Sequence, residues 1–329
     1  MPWVGQVRPE QRPPRVGSRP PAAALLRCDT DDQGDAVAKH KWVETDIPNQ
    51  KGRTFLVTGA NSGLGAEAAK ALGRAGATVI LACRTVAKAE PVAAEIGDRA
   101  QVRRLDLADL ASVREFAENT GEVDVLINNA GIMAVPFGRT ADGFEMQFGT
   151  NHLGHFALTG LLLDRVKDRV VTMSSFAHQI PGLKLDDLNF EHRKYSRWAA
   201  YGQSKLANLL FTYELDRRLR AAESSITAVA SHPGYSKTEL TGRTESYQDF
   251  FSNISDKLFA QSAYMGSLPA LFAATDPSVT PGGYYGPDGL FEVAGHPKKV
   301  GSNKASRDER TARELWERSE KLTGVTYTF

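Results

Sequence analysis

Cysteine is almost missing from this chain of 329 residues: there are two, Cys28 and Cys83. Two thiols cannot form a disulfide framework, and a reducing compartment, the cytoplasm, is the expected location. An excess of one charge is missing too, with 40 basic and 39 acidic side chains. No field of one sign then draws the chain to nucleic acid or a charged membrane. No apolar run approaches the ~20 residues that span a bilayer. The basic start is followed by no apolar segment of the secretory kind, and it lacks the serine-rich amphipathic pattern of a transit peptide. Internal repeats are absent, which argues against a solenoid and for one domain.

What is present is a composition of 41% hydrophobic residues, enough over this length for a large core. The beginning of the chain departs from it. "MPWVGQVRPEQRPPRVGSRPP" holds six prolines and four arginines, and "CDTDDQGDAVAKHK" has no apolar periodicity. Such a segment cannot bury enough surface to offset its ordering entropy, so residues 1–42 are expected to be a disordered extension and 43–329 the folded domain.

From Thr54 onward, short apolar runs alternate with helix-length amphipathic windows. "TFLVTG", "TVILAC", "QVRRLD", "DVLINN", "RVVTMS" and "ITAVASH" read as strands, with "LGAEAAKALGRAG" and "DLASVREFAEN" among the helices between them. This alternation predicts an α/β fold, a Rossmann-type doubly wound parallel sheet in three layers with helices on both faces. In such sheets ligands bind outside the carboxyl ends of the strands, where the strand order reverses.

The first strand runs into "TGANSGLGAEAAKALG", with Gly59, Gly63 and Gly65 at the turn and helix start. Missing side chains there let the backbone approach a pyrophosphate, whose charge meets the free N–H groups of the helix N-terminus. A P-loop is excluded because Leu64 and Gly65 stand where its lysine and hydroxyl residue are needed. The second strand ends in Arg84, nineteen residues after Gly65. An NAD-selective fold places an acid there for the ribose 2′-hydroxyl, whereas arginine suits a 2′-phosphate. NADP(H) is therefore expected in preference to NAD(H).

"AAYGQSKLAN" sets Tyr201 and Lys205 one helical turn apart on one face. A free phenol titrates near ~10, and a neighbouring cation favours its ionised form, so the pairing suits an acid/base that must titrate near neutrality. His152 and His155 gather no further metal ligands at suitable spacing and read as helix-packing residues.

Taken together, Thr58, Gly59, Gly63 and Gly65 in a TGxxxGxG pattern, "NNAG" at 128–131 and YxxxK at 201–205 resemble the short-chain dehydrogenases/reductases. "TNHLGHFALTGLLL", "VVTMSSFAH", "YGQSKLANLLFTYEL" and "SHPGYSKTEL" are most similar to the retinol dehydrogenase-like branch and its bacterial relatives. The likeness runs from residue 46 to about 325.

The resemblance implies a role for each matching position. Gly59, Asn61, Ser62, Gly63, Leu64 and Gly65 would wrap the cofactor, and Asp106 with Leu107 would meet its adenine ring. Asn128, Ala130 and Gly131 would line the adenosine side, with Pro233, Gly234 and Thr238 towards the carboxamide. Asn151 would bend its helix around a water of a proton relay. Ser175 would hydrogen-bond the substrate oxygen, Tyr201 would act as acid/base, and Lys205 would hold the nicotinamide ribose. The implied activity interconverts an alcohol and a carbonyl by hydride transfer. Two alternatives share these motifs: reduction of a C=C bond resembling protochlorophyllide reductase, and a catalytically silent NADP(H) sensor, whose signature would be loss of the serine, tyrosine or lysine. Relatives in this family are commonly dimers or tetramers, so a homo-oligomer is implied.

Ser175 and Tyr201 stand 26 residues apart, across an insert expected in this branch. Residues 235–262 resemble a lid over the site and carry Tyr235, Tyr247, Phe250, Phe251 and Phe259. These aromatics suit a lipophilic substrate, and would equally suit docking the lid to the core or to a partner subunit. "GGYYGPDGLFEVAGHPKKV" is expected to form the last strand and a loop beside the pocket. "SRDERTARELWERSEKLTG" is expected to form a final amphipathic helix ending at Gly324.

Overall fold

The apolar runs become strands in the expected order: β1 (Thr54–Thr58), β2 (Thr78–Cys83), β3 (Ala100–Arg104), β4 (Val123–Asn128), β5 (Val166–Met173) and β6 (Thr227–Ser231). They are seen in a computed structural model that describes residues 1–2, 40–181, 183–234 and 262–329. Cys28, Thr238 and the five aromatics of the expected lid lie outside the described residues. The chain divides into Met1–His40 and Lys41–Phe329, and the second unit is the one with this architecture. Trp42 belongs to it: the ring is 7% exposed and meets Phe272 edge-on at 5.4 Å. Trp42, placed by its polar surroundings in the expected extension, thus packs within the second unit.

Two further strands, β7 (Tyr284–Pro287) and β8 (Pro297–Lys299), complete an eight-stranded sheet in the order β3-β2-β1-β4-β5-β6-β7-β8. The segment expected to give one strand gives both. β7 runs parallel to β6, while β8 returns antiparallel to β7, since the short connection 288–296 is too brief for a parallel crossover. The fold is α/β and doubly wound, as expected. The reversal of strand order lies between β1 and β4.

Alternate residues of the central strands enter opposite layers. Phe55 and Val57 of β1 join one core with Ala68 and Leu72 of α1 (Gly63–Arg74). Leu56 joins the other, together with Val113 and Phe116 of α3 (Leu110–Glu118); α2 (Glu90–Ile96) adds Val92 and Ile96 to the first. Continuous apolar strands follow from having both faces covered. A single turn α4 (Met146–Phe148), a π-helical turn at Gly149–Leu153 and α5 (Gly154–Leu162) follow β4. The long α6 (Arg197–Ala221) carries the YxxxK pair. Apolar α7 (Ala263–Thr275) packs Leu268 and Leu271 on the first face. The final helix α8 (Glu309–Thr323) starts at an Asp308 cap and stops at Gly324, whose φ of +63° suits glycine. Among the described residues, no helix is long and apolar enough to cross a membrane.

His152 and His155 are both buried. His152 reaches Ser319 of α8 at 3.0 Å. Burial holds both imidazoles neutral, pushing His152 down to about 3 and His155 to about 4. An unfolded chain takes up those protons near pH 6.5. Between there and about pH 4 the unfolded state binds more protons, so stability falls as pH falls. Each such group removes about 1.4 kcal/mol per pH unit. The urea midpoint is expected to drop steeply between neutral and mildly acid pH, and less steeply in His152→Gln. An identical slope in that variant would remove His152 from the acid response.

Candidate active site

The turn between β1 and α1 is shaped by contacts that a side chain would occupy. A Cβ on Gly65 would lie 2.4 Å from the Gly59 carbonyl oxygen and 2.5 Å from Asn129 Nδ2. Ser62 precedes α1 in extended conformation and makes no capping bond from its side chain. The first-turn N–H groups of α1 therefore face outward, which is the arrangement that receives an anion. Thr58 anchors the opposite wall: its hydroxyl oxygen accepts the N–H groups of Asn129 and Ala130, each at 2.9 Å. The same hydroxyl donates to His155 Nε2 at 2.9 Å, and His155 Nδ1–H donates to the Asn151 carbonyl at 3.0 Å. A neutral imidazole with a fixed tautomer thus ties the glycine loop to the π-helical turn.

Between these walls lies a cleft of about 270 Å³ at the point of strand reversal. Gly59, Asn61, Ser62, Gly63, Leu64 and Gly65 line one end, Arg84, Asp106 and Leu107 the side, and Ala130 and Gly131 the far wall. Asn128 is a correction. It is fully buried at the end of β4 and donates to Thr159 at 2.9 Å. Strand alternation turns its neighbour Asn129 into the cleft instead. Sequence reading also missed Lys88, four residues after Arg84 in a 3-10 turn, where both cations border the cleft. The signal was the spacing, which brings the two side chains to one side of the turn. Free donors at a helix start, a cradle that a Cβ would fill and two cations at the β2 end fit a phosphate-bearing dinucleotide.

The second group assembles where the cleft ends. Asn151 sits in the π-helical turn and clamps Ile132, accepting its N–H at 2.8 Å and donating to its carbonyl at 2.9 Å. It also donates to Ser204 of α6 at 2.9 Å. A Cβ on Gly131 would lie 3.4 Å from both Asn151 Oδ1 and Lys205 Nζ, so these groups converge on one spot. Lys205 Nζ donates to the Met173 carbonyl at 3.2 Å and stands 5.7 Å from the Tyr201 ring centre. Ser175, two residues past β5, lies close enough to the Tyr201 hydroxyl to favour its ionised form. Ser175 also receives the Ala177 N–H at 3.2 Å. Pro233 and Gly234 follow β6 on the neighbouring strand end and do not border the cleft.

The electrostatics differ from the sequence expectation. Burial pushes the Tyr201 phenol up to about 12, opposed by the nearby Ser175 hydroxyl, and pushes the Lys205 ammonium down to about 8. Desolvation penalises either charge on its own. The lysine alone does not make the phenol titrate near neutrality.

The sequence profile of the short chain dehydrogenases matches residues 53–249. Human retinol dehydrogenase 13 is 43% identical over 293 residues, covering 83% of this chain and 85% of that protein. A solved structure of an uncharacterized protein from Mycobacterium paratuberculosis is 48% identical with a TM-score of 0.78, covering 88% of this chain and all of that one. A 3-ketoacyl-(acyl-carrier-protein) reductase from Brucella melitensis complexed with NADH is 26% identical with a TM-score of 0.55, covering 70% of this chain and 95% of that one. The chain belongs to the short chain dehydrogenase family, in its retinol dehydrogenase-like branch, and is an oxidoreductase.

Proposed function

We propose that the protein is an NADP(H)-dependent oxidoreductase that interconverts a lipophilic alcohol and its aldehyde or ketone, with Tyr201 as acid/base. The observation that carries this reading is the convergence of Asn151, Lys205 and Gly131 beside the Ser175–Tyr201 pair at the end of a dinucleotide-shaped cleft. When bound, the nicotinamide supplies or accepts the hydride. Ser175 holds the substrate oxygen within reach of the Tyr201 hydroxyl. Tyr201 gives its proton to a carbonyl oxygen, or takes one from an alcohol. With a phenol at about 12, the resting side chain carries the proton that reduction needs. Oxidation needs cationic charge nearby, which Lys205 contributes from its place on the same helix face. Asn151 holds the π-helical turn that a water-borne proton relay would use.

Three exposed aromatics support a lipophilic substrate. Phe176 directly follows Ser175 and is 50% exposed, and Trp198 lies edge-on to the Tyr201 ring at 6.3 Å. Phe137 packs against Tyr195 two residues before Arg197, at the start of the same helix. Free, buried Cys83 agrees with a reducing, cytoplasmic setting. The experiment is an assay of NADPH oxidation and NADP reduction over a graded panel of apolar aldehydes, ketones and alcohols, with product analysis. Reduction at C=O is expected. Reduction at C=C, or binding without turnover on every member, would overturn the reading.

Arg84 and Lys88 border the cleft where a 2′-phosphate would lie, and among the described residues neither pairs with a carboxylate. A charged hydrogen bond contributes about 1.5–3 kcal/mol, so Arg84→Ala is expected to weaken NADPH by about tenfold or more. NADH affinity should change little. Equal losses for both nucleotides in a binding titration would defeat the 2′-phosphate assignment.

A further inference from the structure

Two consecutive residues in the β7–β8 connection adopt left-handed backbone without being glycine: Phe291 at φ +52° and Glu292 at φ +58°. Such strain persists only where the surroundings enforce it, and it tends to mark function. Burial of apolar surface does not explain it, since Leu290 and Phe291 remain 79% and 75% exposed. What the conformation does accomplish is to turn the Glu292 carboxylate onto His232, with Oε2 at 3.1 Å from Nε2.

His232 is 1% exposed and ends β6 by donating its backbone N–H to the Tyr285 carbonyl at 2.9 Å. Its Nδ1 accepts the Gly234 N–H at 3.3 Å. An accepting Nδ1 places the ring hydrogen on Nε2, where it points at Glu292. The imidazole has no room to move, because a Cβ on Gly286 would lie 2.0 Å from Nε2. The loop touches the turn directly as well. Gly234 has φ +68°, and a Cβ there would meet the Val293 carbonyl oxygen at 2.3 Å. His178 also meets the Tyr284 ring, edge-on at 5.8 Å, and its Nδ1–H donates to the Ser175 carbonyl at 2.7 Å, so one wall supports both the serine turn and the Pro233–Gly234 turn.

We infer that Glu292 is a positioning residue: through His232 it fixes the Pro233–Gly234 turn that receives the nicotinamide half of the cofactor. The turn lies at the carboxyl end of β6, beside the Ser175 end of β5 and away from the adenosine end of the cleft. The inference rests on the proposed cofactor reading, and deepens it.

The test compares NADPH with 2′-phospho-ADP-ribose, the same ligand without nicotinamide, by calorimetry on the native chain, Glu292→Gly and Glu292→Gln. Glycine tolerates the left-handed backbone while removing the carboxylate, so the variant should fold with an unchanged or higher Tm. Loss of one charged hydrogen bond is expected to weaken NADPH about tenfold in Glu292→Gly while the fragment stays within about twofold. Glu292→Gln should recover most of the loss, since its amide oxygen still accepts from Nε2–H. Faster hydrogen exchange at the Gly234 amide in Glu292→Gly should accompany the loss. Unchanged NADPH affinity, or equal losses for NADPH and the fragment, would overturn the inference. If native protein bound NADPH no better than the fragment, the cofactor reading of the turn would fail instead, and Gly234 exchange would still decide whether Glu292 holds it.

Discussion

Replacing Tyr201 with phenylalanine is expected to slow hydride transfer by ~10²–10⁴-fold, the usual contribution of a positioned proton donor. NADPH binding should stay within a few-fold of native. The geometry separates these two effects. The Tyr201 ring is buried and meets Trp198 edge-on, contacts that phenylalanine keeps. Only the hydroxyl is lost, and nearby Ser175 retains the Ala177 N–H. No residue of the glycine loop touches that oxygen, so the cleft should be unaffected. Single-turnover rates of NADPH oxidation with an apolar aldehyde, measured beside a nucleotide titration, provide the check. Native turnover in the variant would remove Tyr201 from the chemistry, whatever its position.

Gly65→Val should have the largest effect on cofactor binding. Its first side-chain carbon would already sit 2.4 Å from a backbone oxygen and 2.5 Å from the Asn129 amide. The first is backbone and the second is tied to the Thr58 carbonyl at 2.8 Å, so loop or helix must shift. Overpacking of this kind costs about 1–3 kcal/mol of stability. The displaced helix start would also lose phosphate hydrogen bonds of about 1.5–3 kcal/mol each, so two of them amount to a hundredfold or more in affinity. Gly121→Ala is the control, since a Cβ there meets nothing within 4 Å. NADPH affinity surviving in Gly65→Val while Tm falls would show that the cradle is structural only.

Much of this arrangement was legible because the central strands are apolar on both faces, and α1, α3 and α8 on one. The glycine spacing located the turn, and YxxxK located the pair on α6. Three things were not legible, each for a physical reason. Asn128 and Asn129 are identical in composition, and only the pleat decides which one faces the cleft. Glu292 lies 60 residues beyond His232, in a loop whose backbone no propensity favours. The direction of the acid/base shift depends on desolvation, which a helical spacing does not report: Tyr201 and Lys205 are neighbours, yet burial moves each away from its charged form.

The last helix has a consequence for the order in which this molecule is made. During synthesis β1 to β4 emerge early and can pair before α6 exists. The shelf that carries Tyr201 is not braced until α8 and the residues after it have emerged. Trp316 of α8 stacks on Phe211 of α6 at 5.7 Å, and Tyr327 donates to the Phe156 carbonyl at 2.6 Å. A chain cut short before Glu309 would therefore keep β1 to β4 and leave α6 without that brace.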